Sequence, residues 1–281
     1  MKKRGAVVKQ YCRDGYYVAN GLLPKADVLR VRDSLIKNFV EQLKLSHSSE
    51  DFSDGLLFEL MQRLFHKNLS QYKKTVSALW RKLDVYQLMH HEKIIQFLRD
   101  QFVWSDIFVP GGQIVLIMSH ELRIQDGYFG ISAHQDFPSV QGSLDGVVVW
   151  LPLVKVDSSN FPLEVIPGSH MQGLIPTISD EKAQWQLDPK HYREDQFVKL
   201  EAEPGDVVFM SLFTVHRSAI DGEKNRLRVA LSTRFDNGDE SSFVDRIYPS
   251  AYNRSVTRAP IRTDFPVPDQ VRRVFKISEG K

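Results

Sequence analysis

A chain of 281 residues with 42% hydrophobic content has enough apolar material to bury a substantial core, as one elaborated domain or two small ones. A formal net charge of +2 is too mild to point to nucleic acid. A single cysteine, Cys12, excludes an intrachain disulfide and suits a reducing, cytoplasmic setting.

The basic start Met1-Lys2-Lys3-Arg4 is followed by Ala6-Val7-Val8, too short for a signal-peptide core. No run approaches the ~20 apolar residues that span a bilayer, so no integral membrane segment is expected. Peripheral membrane contact stays open, and nothing in the sequence sets an oligomeric state. Residues 24–44 read as a helix: Pro24 suits a first helical position, and Val28, Val31, Leu35, Phe39 and Leu43 recur at helical spacing. Ser46 to Gly55 is polar and reads as a loop. Segments 56–66, 69–83 and 91–102 are again helical, with Leu60, Leu64, Leu79, Leu83, Ile94, Phe97 and Leu98 as expected core. His90-His91-Glu92 contains a His-x-Glu, but on a helix residues i and i+2 face apart, which argues against a metal site there.

From about residue 109 the pattern changes to short β-branched or aromatic runs: 114–118, 147–153, 163–166, 197–200, 207–210 and 227–235. Pro204-Gly205-Asp206 reads as a turn feeding the strand before His216. Many short strands behind a helical start predict a jelly-roll barrel with the N-terminal helices packed on one sheet. Residues 238–281 contain four prolines and read as a tail over the barrel. The expected organisation is therefore one domain over 1–281: a mostly helical 1–108, a jelly-roll core over 109–237 and the tail.

His134-Gln135-Asp136, with His216 far downstream, is the constellation that points to chemistry. Two imidazoles and a carboxylate can occupy one face of an octahedral Fe(II), leaving the opposite face for a cosubstrate and O₂. Two residues apart on a strand, His134 and Asp136 would point the same way. The plainer reading is a histidine paired with an acid near a strand end. Arg228 shifts the balance, because an arginine inside the apolar run Leu227-Arg228-Val229-Ala230-Leu231 calls for an anion. A guanidinium fits a carboxylate two-pronged, which suits a 2-oxo acid. Arg226, on the same face by parity, is the rival.

Several short motifs occur in one order: Asp14-Gly15-Tyr16-Tyr17-Val18, Gly21-Leu22-Leu23-Pro24, Ser132-Ala133-His134-Gln135-Asp136 and Trp150-Leu151-Pro152-Leu153. Leu163-Glu164-Val165-Ile166-Pro167-Gly168-Ser169-His170, Glu203-Pro204-Gly205-Asp206 and Arg228-Val229-Ala230-Leu231-Ser232 follow. From about residue 11 to 237 the chain resembles the phytanoyl-CoA dioxygenase family of Fe(II)/2-oxoglutarate-dependent oxygenases. The resemblance implies a double-stranded β-helix, the cupin-like form of the jelly roll, and His134, Asp136 and His216 as iron ligands. It implies Arg228 for the distal carboxylate of 2-oxoglutarate, helped by Ser218, with Gln135 and Trp150 near the cosubstrate. The plainer alternatives are a strand serine bonded to backbone and a core tryptophan. His170 looks like a ligand candidate, but the family uses the later histidine.

The residue after the distal histidine is often Gly in this family and here is Arg217, which would place a positive charge at the substrate mouth. Gln125–Gly130, with Tyr128 and Phe129, reads as part of a lid over the substrate or as a hairpin loop. Arg123 and His120 read as anion contacts or as solvated surface. Related iron halogenases replace the carboxylate ligand with a small residue, so Asp136 argues for oxygenation. The expected activity is hydroxylation of an unactivated C–H bond in a small polar or anionic metabolite, such as an acidic sugar, phosphonate or natural product, with 2-oxoglutarate converted to succinate. The alternatives are an acyl-CoA hydroxylase of the same family, a catalytically silent cupin-like binding protein, and an isomerase or hydrolase on this scaffold.

Overall fold

The computed structural model describes residues 6–46, 52–125, 129–140, 142–178 and 186–240, all within one compact unit, Met1–Phe243. The expected tail lies outside the described residues from 241 onward, as do residues 47–51 of the expected 46–55 loop. Six helices come first or nearly so: α1 Ala6–Asp14, α2 Lys25–Leu43, α3 Asp54–Lys67, α4 Leu69–Ala78, α5 Leu83–Met89 and α6 Glu92–Gln101. The strands are β1 Tyr16–Ala19, β2 Ile107–Phe108, β3 Ile114–Met118, β4 Val147–Pro152, β5 Leu163–Val165, β6 Val198–Leu200, β7 Val207–Ser211, β8 His216–Ser218 and β9 Arg228–Asn237.

Local chemistry explains the helix limits. Pro24 caps α2 from just outside the helix, one residue before the expected position, and Lys44 ends it in the left-handed conformation (φ 56°). The Ser53 hydroxyl accepts from the Leu56 N–H at the start of α3. The expected 69–83 helix is two pieces. Apolar spacing runs on through Leu79 and Leu83, but a 3₁₀ turn at Leu79–Arg81 and extended Lys82 (ψ 135°) break it.

A curled antiparallel sheet runs β1-β7-β4-β9, with β9 paired on its far side to β3 along its first half and β2 near its end. A smaller sheet runs β6-β5-β8, and His134 extends it through bridges to His216 and Gln186. Together they form the expected jelly roll. Alternation along each strand divides two cores. Val147, Val149, Leu151, Phe209, Val229, Leu231 and Phe235 face the helices, and Val148, Trp150, Val208, Met210 and Ala230 face the small sheet. Every residue of β4 is buried because both faces are covered, which is why Val-Val-Val-Trp-Leu-Pro lacks polar alternation. On the helical side, Phe97 of α6 stacks on Phe209 of β7 with centroids 4.3 Å apart. Burying such a ring is worth ~1.5–3 kcal/mol, and contacts of this kind fix the back wall against which the site is built. No helix among the described residues is long and apolar enough to cross a membrane.

Candidate metal centre

The two histidines meet through backbone pairing. His134 N–H donates to the His216 carbonyl and His216 N–H returns the bond to His134, each at 3.0 Å. This is a mutual antiparallel pair, so both side chains leave the same face, and their rings sit with centroids 4.1 Å apart. Asp136 arrives differently from the strand reading. The chain leaves the sheet after His134, and Asp136 stands before the short helix α7, Phe137–Val140, where its carbonyl accepts from Ser139 and Val140. The turn, not strand parity, returns its carboxylate toward the imidazoles.

Asp136 Oδ1 lies 3.4 Å from His134 Nε2 and 3.9 Å from His216 Nε2. One donor atom from each residue falls within 4.8 Å of the others, all three residues are buried, and this is the one such cluster among the described residues. The donor set fits a divalent metal. His134 Nδ1 is 2.8 Å from the Ser132 carbonyl and His216 Nδ1 is 2.9 Å from the Thr214 carbonyl. A carbonyl only accepts, so each Nδ1 carries a proton and each ring turns its Nε2 inward as the atom available to a metal. Burial, with the neighbouring His134, pushes His216 down to about 4, so the ring is neutral near pH 7. Burial alone would raise Asp136. The Arg234 guanidinium and the two imidazoles outweigh it and hold the carboxyl well below the usual carboxylate range.

Arg234 is the residue the sequence reading missed. Its Nε and Nη2 lie 2.8 and 2.7 Å from Asp136 Oδ2, the oxygen that does not face the imidazoles. The signal was available in the parity of β9, since residues 228, 230, 232 and 234 share one face.

Arg228 is fully buried on that face. Its Nη1 donates to the Phe161 carbonyl at 2.7 Å and its Nη2 to the Ser218 hydroxyl at 3.0 Å. Ser218 is thus bonded to a side chain, not held only by backbone. Phe161 presents that carbonyl from a left-handed conformation, φ 62°, which a bulky aromatic adopts only when its surroundings enforce it. Arg226 precedes β9, has a 40% exposed side chain and pairs with Asp157 at 2.7 Å. Trp150 lies on the interior face opposite Ser232, and its buried indole N–H has no partner among the described residues, a donor placed for an incoming acceptor.

Two expected site residues carry further contacts. The Gln135 amide donates to the carbonyls of Gly173 and Phe213 at 2.8 and 2.7 Å, and its oxygen accepts from Ile175 N–H at 2.9 Å. All its polar atoms tie loops together, a structural role beside the one expected near the cosubstrate. Arg217 lies between its in-pointing neighbours His216 and Ser218 and pairs with Glu164 and Glu194 at 2.6 Å each, over the ring of Phe197. It stands beside a cavity, and its charge is committed to two carboxylates. Phe129 lines the same cavity of about 500 Å³, with Ser132, Glu164, Glu194, Ser218 and Asp221 among the other walls. It also packs on His120 and Phe161 and lies under Arg123. Tyr128, and the 126–128 part of the expected lid, lie outside the described residues. His91 caps α6 and contacts Asp27.

Residues 11–221 match the family model described as phytanoyl-CoA dioxygenase (PhyH). No curated protein matches the chain. Among solved structures, the epimerase SnoN in complex with Fe3+, alpha ketoglutarate and nogalamycin RO aligns with a TM-score of 0.56 at 18% identity, covering 82% of each chain. The non-heme monooxygenase ThoJ in its apo form aligns with a TM-score of 0.52 at 14% identity, covering 82% of this chain and 77% of its own. At these identities the likeness is one of fold.

Proposed function

Because the chain belongs to the phytanoyl-CoA dioxygenase family, whose members work with Fe(II), 2-oxoglutarate and O₂, we propose that it hydroxylates an unactivated C–H bond of a small polar metabolite. The observation that carries this reading is the convergence of two imidazole Nε2 atoms and one carboxylate oxygen from three buried residues. His134, Asp136 and His216 would hold the metal. Bound together, iron, 2-oxoglutarate and O₂ supply the oxidising power for C–H cleavage, and 2-oxoglutarate leaves as succinate and CO₂. The chain's part is placement. Arg228 and Ser218 would grip the distal carboxylate from the depth of the barrel, and the Trp150 N–H would donate to the same molecule. The apolar interior around Val148, Met210 and Ala230 keeps bulk water from the reacting face.

The substrate expectation narrows. The cavity beside the histidine strands is lined by Glu164, Glu194 and Asp221, of which the first two pair with Arg217 and the third with Lys199. Such walls hold no unpaired cation for an anion and accept hydroxyl or amino groups, so we favour the polar metabolite over the anionic one. The fold neighbours favour one second reading: SnoN is an epimerase and ThoJ a monooxygenase, so inversion at a carbon is the competing outcome. Incubating the iron-loaded protein with 2-oxoglutarate, O₂ and a panel of amino- and hydroxyl-rich metabolites separates the two. A product heavier by one oxygen supports hydroxylation, and an isomer of unchanged mass supports epimerisation. Failure to turn over 2-oxoglutarate at all, even without substrate, would favour a silent binding protein.

A further inference from the structure

Asp136 has two oxygens, and the structure gives them different surroundings. Oδ1 faces both imidazoles. Oδ2 accepts the Arg234 Nε–H at 2.8 Å and lies 2.7 Å from Nη2 of the same guanidinium. Arg234 comes from β9, opposite Val148 of β4, so the holder belongs to the rigid main sheet and not to the loop that carries Asp136. Its side chain is 16% exposed, and Asp136 is its one carboxylate partner among the described residues.

We propose that Arg234 is a positioning residue that keeps Asp136 a one-oxygen metal ligand and so preserves the third open coordination position. This rests on the metal-binding reading above. An octahedral metal held by two imidazoles and one carboxylate oxygen has three positions left. A chelating 2-oxo acid takes two, and O₂ needs the third. A carboxylate free to rotate offers its second oxygen to the metal and fills one of the three. A charge-assisted hydrogen bond from Nε and a close ion-pair contact from Nη2, both on Oδ2, oppose that rotation, and the planar guanidinium turns both nitrogens to one atom, which a lysine ammonium does less well. Arg234 also sets a positive charge beside the metal face, where an anionic chelate must arrive.

The test uses Mn(II) as the probe, because water-proton relaxation reads how many exchangeable waters the bound ion carries. In Arg234→Met we expect Mn(II) affinity within about threefold of wild type or tighter, with relaxation enhancement lower by about a third as three waters become two. We expect 2-oxoglutarate to bind the anaerobic Fe(II) form at least about tenfold more weakly, a difference of ~1.4 kcal/mol. A purely structural role would weaken metal and cosubstrate together and leave the water count of the bound ion alone. Arg234→Lys, which keeps the charge and guards against a misfolded Met variant, should retain the metal with a water count between the two. Unchanged relaxation and unchanged 2-oxoglutarate affinity in a folded, metal-binding variant would overturn the proposal. If the wild-type protein itself binds no divalent metal, the metal-centre reading fails first, and the two failures are distinguishable.

Discussion

Replacing Arg228 with Met tests which arginine holds the cosubstrate and keeps most of the side-chain volume. Arg228 is fully buried and donates to the Phe161 carbonyl and the Ser218 hydroxyl at 2.7 and 3.0 Å. A 2-oxoglutarate carboxylate reaching it would make a charge-assisted pair shielded from water. Losing one partner of a fully buried pair costs ~3–5 kcal/mol, and a partly solvated version ~1.5–3 kcal/mol. At ~1.4 kcal/mol per tenfold, Arg228→Met should weaken 2-oxoglutarate binding between about tenfold and a few thousandfold. Arg226 is the internal control. Its side chain is 40% exposed and already paired with Asp157, so Arg226→Ala should change affinity only a few fold. The assay is titration of 2-oxoglutarate into each anaerobic Fe(II) protein, followed by the metal-to-ligand charge-transfer band. Melting curves account for the carbonyl of Phe161, whose lost donor costs ~1–3 kcal/mol of stability. A large loss in Arg226→Ala with none in Arg228→Met would refute the reasoning.

Asp136→Ala should abolish stoichiometric divalent-metal binding, measured by calorimetry, while circular dichroism stays close to wild type; full metal binding without added carboxylate would disprove the ligand assignment. The metal-free protein should lose stability as pH falls from about 6.5 to about 4. His216 is held at about 4 when folded against 6.5 for its ordinary value, so in that window the unfolded chain binds a proton that the folded chain refuses. The full loss is on the order of 3 kcal/mol, read by urea unfolding at pH 7 and pH 4.5, and His216→Gln should flatten the dependence.

Legibility followed burial pattern. The β4 run was readable because covered faces demand continuous apolar sequence, β9 from its Val229-Ala230-Leu231 start, and α2 because one face recurs at helical spacing. β8 was harder to see, since His-Arg-Ser is three polar residues with no apolar alternation; its pairing with β5 makes it a strand. The break at Lys82 was hidden by apolar spacing that continues across it. Asp136 was found by residue type and placed by a strand argument, whereas the chain uses a turn. Arg217 and Gln135 could not be read from type and position alone, because their partners, Glu164, Glu194, Gly173, Phe213 and Ile175, are distant in sequence.

β9 carries both Arg228 and Arg234 on one face of a single ten-residue strand, bonded to β4 on one side and to β3 and β2 on the other. The contact to Ser218 and the contact to Asp136 therefore hang from one rail whose spacing no loop can adjust. One residue inserted between them would turn one arginine out to the helices, since a single step exchanges the faces. Two residues would restore the face but carry the anchors ~7 Å further apart. Loops between strands can lengthen, shrink or be exchanged to suit new substrates, while this stretch admits substitution and not insertion. Diversification of such a protein is thus channelled to the barrel mouth, with the spacing of its two interior cations carried along unchanged.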